Sequence, residues 1–163
     1  MATSTAASAP LTTQIINPLL SSVVETYGMM LDCEARRGEL ELRRADAQLY
    51  DVTAVIGVTG RVKGVVAISF ALQTALNTVE RFLGESHGGL TPEVIDGLSE
   101  LANMIGGSTK SKLNMGLNIG LPSVVSGPNH RIDFPTESKP MRVHYASDAG
   151  PFFVDFGFVS QSF

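Results

Sequence analysis

TPEVIDGLSELANMIGGSTKSKLNM, residues 91–115, is a long helical pattern with polar residues and two adjacent glycines set into it. Thr91 is a good N-cap, Pro92 suits the first helical position, and Glu93 complements the positive end of the helix dipole. At 100° per residue, Val94, Ile95, Leu98, Leu101, Ala102 and Ile105 fall on one side and Asp96, Ser99, Glu100, Asn103 and Gly107 on the other. Glu100 and Asn103 are three apart, hence neighbours on the polar side. A random Glu-x-x-Asn pair is usually an ordinary solvated face. Here asparagine is a poor mid-helix residue unless its amide is used. Gly106 and Gly107 would let a partner's backbone approach, and after Glu100 the first cation is Lys110. The face reads as a docking surface, with Asp96, Ser99, Met104, Gly106 and Gly107 around the pair.

Elements on either side extend this reading. Ile15, Ile16, Leu19, Leu20, Val23, Val24 and Tyr27 have helical spacing, with Asn17-Pro18 near the start. Leu40 and Leu42 alternate with charges, as in a half-buried strand. Val52, Ala54, Ile56 and Val58 share one parity. A turn at Thr59-Gly60-Arg61 then leads into Val62, Gly64, Val66, Ile68 and Phe70, which makes a hairpin. LQTALNTVERFLGES, residues 72–86, predicts a helix ending at Gly84. PSVVSG suggests a short strand, and MRVHY and PFFVDFGFV a final pair around Asp148-Ala149-Gly150. Five of the eight phenylalanines lie in the last twelve residues, with Phe152, Phe156 and Phe158 on one face. A buried strand explains them better than a ligand site does.

The order of helix, strand and hairpin occurs twice. Glu25-Thr26-Tyr27-Gly28-Met29 falls against Glu100-Leu101-Ala102-Asn103-Met104, which suggests a diverged internal duplication. In it the first copy keeps the glutamate and has lost the asparagine.

The 163 residues suit one domain, expected at 13–163 behind a frayed tail at 1–12. A net charge of −4 and the lack of any concentrated basic cluster argue against nucleic acid and anionic membrane. No apolar run is long enough to span a bilayer. A single cysteine, Cys33, allows no internal disulfide and fits a reducing, cytoplasmic setting. It reads as a small apolar residue. GGSTKSK lacks the order of a phosphate loop. His87, His130 and His144 lack the spacing of a zinc site, and Ser126-Gly127 is not part of a nucleophile elbow.

Asp96-x-x-x-Glu100-x-x-Asn103-Met104-Ile105-x-Gly107 resembles the signature helix of the CheC, CheX and FliY phosphatases of bacterial chemotaxis. The likeness extends over roughly residues 15–160, and with one complete motif the chain looks most like the CheX type. Members with two working motifs would have asparagine where this chain has Gly28. The resemblance implies an α/β (α+β) domain with long helices on one side of an extended, mostly antiparallel sheet. It also implies a phosphatase acting on the aspartyl phosphate of a CheY-like response regulator. By the resemblance Asn103 would orient the attacking water, Glu100 would pair with the receiver's active-site lysine, and Gly106 and Gly107 would leave room. No cofactor would be bound by this chain, with Mg²⁺ expected on the receiver. A homodimer is expected, with the aromatic last strand as a place for its interface. Two alternatives belong to other classes: an adaptor in which the same helix docks a receiver or a deamidase without catalysis, and a structural component of the flagellar switch.

Overall fold

The computed structural model describes residues 10–161. Three helices, α1 (Leu11–Leu31), α2 (Leu72–Leu83) and α3 (Pro92–Lys112), pack on a seven-stranded antiparallel sheet. Its strands are β1 (Ala35–Leu42), β2 (Val52–Gly60), β3 (Val62–Phe70), β4 (Leu117–Ile119), β5 (Ser123–Ser126), β6 (Met141–Ser147) and β7 (Phe152–Ser160). The order across the sheet is β1-β6-β7-β3-β2-β4, with β5 also on β2.

That order reads the same from both ends. β3 and β7 form the centre, each carries its hairpin partner outside it, and a strand from the opposite half closes each edge. The central register is symmetric too: Val62 faces Ser160 and Phe70 faces Phe152. With α1 packed along α3, this is the arrangement that a doubled helix-strand-hairpin unit would produce.

The core lies between helices and sheet. Val52, Ala54, Ile56 and Val58 of β2 and Val62, Val66, Ile68 and Phe70 of β3 are buried, in the alternation read from the sequence. The Phe152 ring stacks on Tyr27 of α1, Tyr145 of β6 and Phe70 of β3, with centroids 4.9, 5.0 and 5.6 Å away. Gly64 lies across from Phe158, whose ring occupies the space a β-carbon would take, and the Gly157 carbonyl closes the other side. Gly64→Ala is therefore expected to lower stability by about 1–3 kcal/mol through overpacking, as measured by urea denaturation.

Several expectations need correction. Helix α1 begins at Leu11, so Leu11 and Thr12 belong to it rather than to a tail at 1–12. Leu11 packs against the core, which gives the chain reason to be helical that early. Residues 1–9 of that expected tail and residues 162–163 lie outside the described residues. Pro18 is consequently inside α1 and not near its start. Strand β1 forms, but Leu40 and Leu42 are 36% and 65% exposed, because this edge strand has neither a helix nor a loop over them.

The aromatic last strand is not an edge. β7 lies between β6 and β3, and its unbroken burial from Phe152 to Phe158 comes from being covered on both faces. Phe152, Val154, Phe156 and Phe158 meet the core. Phe153, Asp155 and Gly157 point the other way, toward Tyr50 and the segment 134–138. From Phe152 to Phe156 both hydrogen-bonding sides of this strand are taken, so that stretch offers no edge to a dimer.

On that second face Asp155 is fully buried and accepts hydrogen bonds from two arginines. Arg142 reaches it in bidentate fashion, with Nε to Oδ1 at 2.6 Å and a terminal nitrogen to Oδ2 at 2.8 Å. Arg43 Nε donates to Oδ2 at 2.8 Å. Arg142 also donates to the Gln48 carbonyl and lies 3.7 Å from the Phe153 ring centre. Arg43 donates to the Ala47 carbonyl and covers Phe134. This cluster holds the crossing segments against the sheet opposite the helices.

Candidate functional site

Helix α3 is anchored from its first residue. The Thr91 side-chain oxygen accepts from the Val94 backbone N–H at 3.3 Å, and Pro92 fills the first turn where no intrahelical N–H is needed. The Glu93 carboxyl is held below its usual pKa by backbone N–H at the helix start, and then by the Thr91 hydroxyl. Its contribution to the helix is therefore complete above the ordinary glutamate range and fades as pH falls through the lowered value.

The inner side of the helix is Val94, Gly97, Leu98, Leu101, Ala102, Ile105, Gly106 and Thr109. Two of these are glycines with packing duties. A β-carbon on Gly97 would approach Val79 of α2 to 3.0 Å, so the bare backbone lets the two helices lie close. A β-carbon on Gly106 would approach Ile119 of β4 to 3.0 Å and Ile56 of β2 to 3.6 Å. Gly106 is thus buried against the sheet and does not open the outer face to a partner, contrary to the sequence-based expectation. Gly107 is exposed, with nothing within 4 Å of a β-carbon.

The outer side carries Asp96, Glu100, Asn103 and Gly107 exposed, with Ser99 and Met104 half-buried at its margins. One helical step puts Glu100 and Asn103 about 5–6 Å apart at their β-carbons. Among the described residues neither side chain has a hydrogen-bond or ion-pair partner. A carboxylate and an amide are presented together from a helix whose other side is locked into the core. The arrangement can offer a carboxylate to a cation, and an amide that both donates and accepts. It lies on a convex surface, so a pocket around any small group must come from whatever docks there.

The same carboxylate is treated differently on α1. Glu25 Oε2 lies 2.6 Å from Lys112 Nζ in the last turn of α3, and Lys112 also donates to Ser21 Oγ at 3.2 Å. Sequence reasoning missed this pair. The signal was a lysine in the final turn of the helix packed along α1, which needs the helix pairing to be interpreted.

The residues set aside earlier have structural settings. Cys33 is buried. His144 meets Glu41 at 3.3 Å on the surface. His130 Nε2 lies 2.8 Å from Thr53 Oγ1, which is 2.9 Å from Ser69 Oγ, while Nδ1 faces the Gly127 carbonyl at 2.8 Å. These bonds tie the segment after β5 to the sheet. Among the described residues no group of three or more His, Cys, Asp or Glu side chains could hold a metal ion, and no helix is long and apolar enough to cross a membrane.

Known proteins resemble the chain along most of its length. A sequence family described as chemotaxis phosphatase CheX matches residues 52–146. The CheY-P phosphatase CheX of Thermotoga maritima is 31% identical over 123 residues, which is 73% of this chain and 79% of that protein. The crystal structure of chemotaxis protein CheX from Vibrio vulnificus superposes with a TM-score of 0.81 at 27% identity, over 90% of this chain and 99% of that one. CheX from Borrelia burgdorferi, solved in complex with CheY, BeF₃ and Mg²⁺, shares the fold with a TM-score of 0.77 at 22% identity, over 88% of this chain and 97% of that one.

Proposed function

Because the chain belongs to the CheX family of chemotaxis phosphatases, we infer that it removes the phosphoryl group from the aspartyl phosphate of a CheY-like response regulator. The observation that carries this reading is the exposed, unpartnered Glu100 and Asn103 on the rigid α3. A convex helix cannot enclose a small substrate. It suits a substrate whose own active site is a cleft, as in a phosphorylated receiver domain. An acyl phosphate is already activated, and the receiver's Mg²⁺ neutralises its oxygens. What a partner protein can add is a fixed water.

In this mechanism Asn103 enters the receiver's site and holds water in line with phosphorus through its carbonyl and amino groups. Positioning of this kind is an effective contribution to phosphoryl transfer. Glu100 pairs with the receiver's active-site lysine and sets the docked pose, while Asp96, Ser99, Met104 and Gly107 border the contact. The fixed inner face of α3 matters because a loosely held amide would lose the alignment on which the rate depends. The protein acts in the cytoplasm, where receivers are found, and binds no cofactor of its own. A homodimer forms part of the proposal. The outer edge of β1, beside exposed Leu40 and Leu42, has no strand neighbour among the described residues and offers a place for it.

The test is decay of a phosphorylated CheY-like receiver in the presence of Mg²⁺, with wild type and Glu100→Ala, alongside binding to the fluoroberyllate-activated receiver. Wild type is expected to accelerate decay. Glu100→Ala is expected to weaken binding by about 2 kcal/mol, roughly 30-fold, by removing one partner of a desolvated charge pair. Binding by wild type without faster decay would establish the adaptor reading instead.

A further inference from the structure

Setting Glu25 of α1 on Glu100 of α3 brings the two helices into the same pattern of burial. Leu19, Ser22, Val23, Thr26 and Tyr27 are buried on α1, and Val94, Gly97, Leu98, Leu101 and Ala102 are buried at the matching positions of α3. Glu25 and Gly28 are exposed where Glu100 and Asn103 are exposed. With the symmetric sheet order, this places a second, incomplete copy of the docking surface on α1. The copy differs in two ways. Gly28 stands at the asparagine position, and the glutamate is engaged by Lys112 at 2.6 Å. Ser21, one turn before Glu25, gives the same ammonium a second anchor at 3.2 Å.

We propose that Lys112 silences the α1 surface by holding Glu25 as a receiver's lysine would hold Glu100, so that each chain docks one receiver and not two. This rests on the reading of Glu100 as the docking carboxylate. A carboxylate already satisfied by an internal ammonium gains little from a second one, and Lys112 also puts a positive charge where the incoming lysine must approach. The two charges repel. Loss of the amide alone would have removed only catalysis and left a surface that sequesters phosphorylated receiver unproductively. The ion pair removes the docking as well.

The groove beside the pair is lined by Asn17, Pro18, Leu20, Val24 and Arg37 in addition to Ser21, Glu25 and Lys112. Arg37 adds a further positive charge there. Gly28 itself is in open space, with nothing within 4 Å of a β-carbon and a φ in the ordinary range, so a side chain at that position would fit.

The stoichiometry of fluoroberyllate-activated CheY-like receiver on the full chain, measured by calorimetry, tests this. Wild type is expected to bind one receiver per chain and Lys112→Ala two. Adding Glu25→Ala to Lys112→Ala is expected to return the count to one. Both substitutions are at the surface and leave the core intact, which circular dichroism checks. A value of one for Lys112→Ala, with wild type also at one, overturns the proposal and leaves the proposed function standing. Failure of wild type to bind any receiver overturns both. A second readout uses catalysis in an Asn103→Ala background. Gly28→Asn with Lys112→Ala is expected to recover faster receiver dephosphorylation, and Gly28→Asn with Lys112 retained is not. Equal recovery with Lys112 in place would show that it blocks nothing.

Discussion

Asn103→Ala is expected to reduce the rate constant for receiver dephosphorylation by about 10²–10³-fold, the range typical of losing a single aligned polar group in a transition state. Stability is expected to change by less than about 0.5 kcal/mol, because the side chain is exposed and bonded to nothing among the described residues. Binding to a fluoroberyllate-activated receiver should be close to wild type. The combination separates the role of Asn103 from that of Glu100, whose replacement affects binding. Single-turnover decay of phosphorylated receiver, at protein concentrations above the dissociation constant, measures the chemical step directly. A drop of less than threefold there would remove Asn103 from the mechanism.

The second large effect is on folding. Asp155→Asn leaves Arg142 and Arg43 facing a neutral amide in a site where the aspartate side chain is fully buried and the two arginine side chains are 11% and 13% exposed. Breaking a buried pair by removing one charge costs about 3–5 kcal/mol, because the remaining charges lose their compensation. For a chain of this size that corresponds to a fall of roughly 6–20 °C in Tm. Calorimetry or thermal circular dichroism measures it. Asp155→Asn keeps the volume and removes the charge, so the loss reports the electrostatic part of the cluster. A loss below about 1 kcal/mol would mean that water reaches the arginines once the carboxylate is gone.

Much of the architecture was legible where one side of an element is buried and the other wet. The alternation through Val52–Val58 and the helical spacing through Val94–Ile105 each follow from a single core face, and both elements form as read. Caps at Thr91 and Gly84 are local chemistry and were equally readable. Legibility failed where the sheet has two covered faces or none. β7 is apolar on one face and holds Phe153 and Asp155 on the other, so its sequence does not distinguish a central strand from an exposed aromatic edge. β1 has alternating Leu and charge, yet beyond Ala35 it is exposed. Asp155 and Arg142 carried a signal in hindsight: each is a charge inside an apolar strand. Their pairing depends on the register of β6 against β7, in which they face each other.

The candidate site was readable for a related reason. Glu100 and Asn103 lie on the polar face of a strongly patterned helix, and three-residue spacing fixes their adjacency without tertiary information. Gly106 was not readable in the same way. A glycine at the boundary between faces fits open space or close packing equally well, and only the positions of Ile56 and Ile119 decide for packing. The Glu25–Lys112 pair requires knowing that the last turn of α3 lies beside the fourth turn of α1.

The interleaving of the two halves also bears on how the chain matures during synthesis. β3 gains its central neighbour, and β1 its strand partner among the described residues, from strands after residue 140. Before the second half is made, the first half therefore has a hairpin without neighbours on either side and a solitary strand. Both would be exposed to neighbouring nascent chains. Contacts this distant in sequence also slow folding after release. A chain halted before β7 would hold the complete α3 surface on a scaffold lacking the middle of its sheet. Competence to act on a receiver would thus arrive with the last strand, well after the ribosome has passed Asn103.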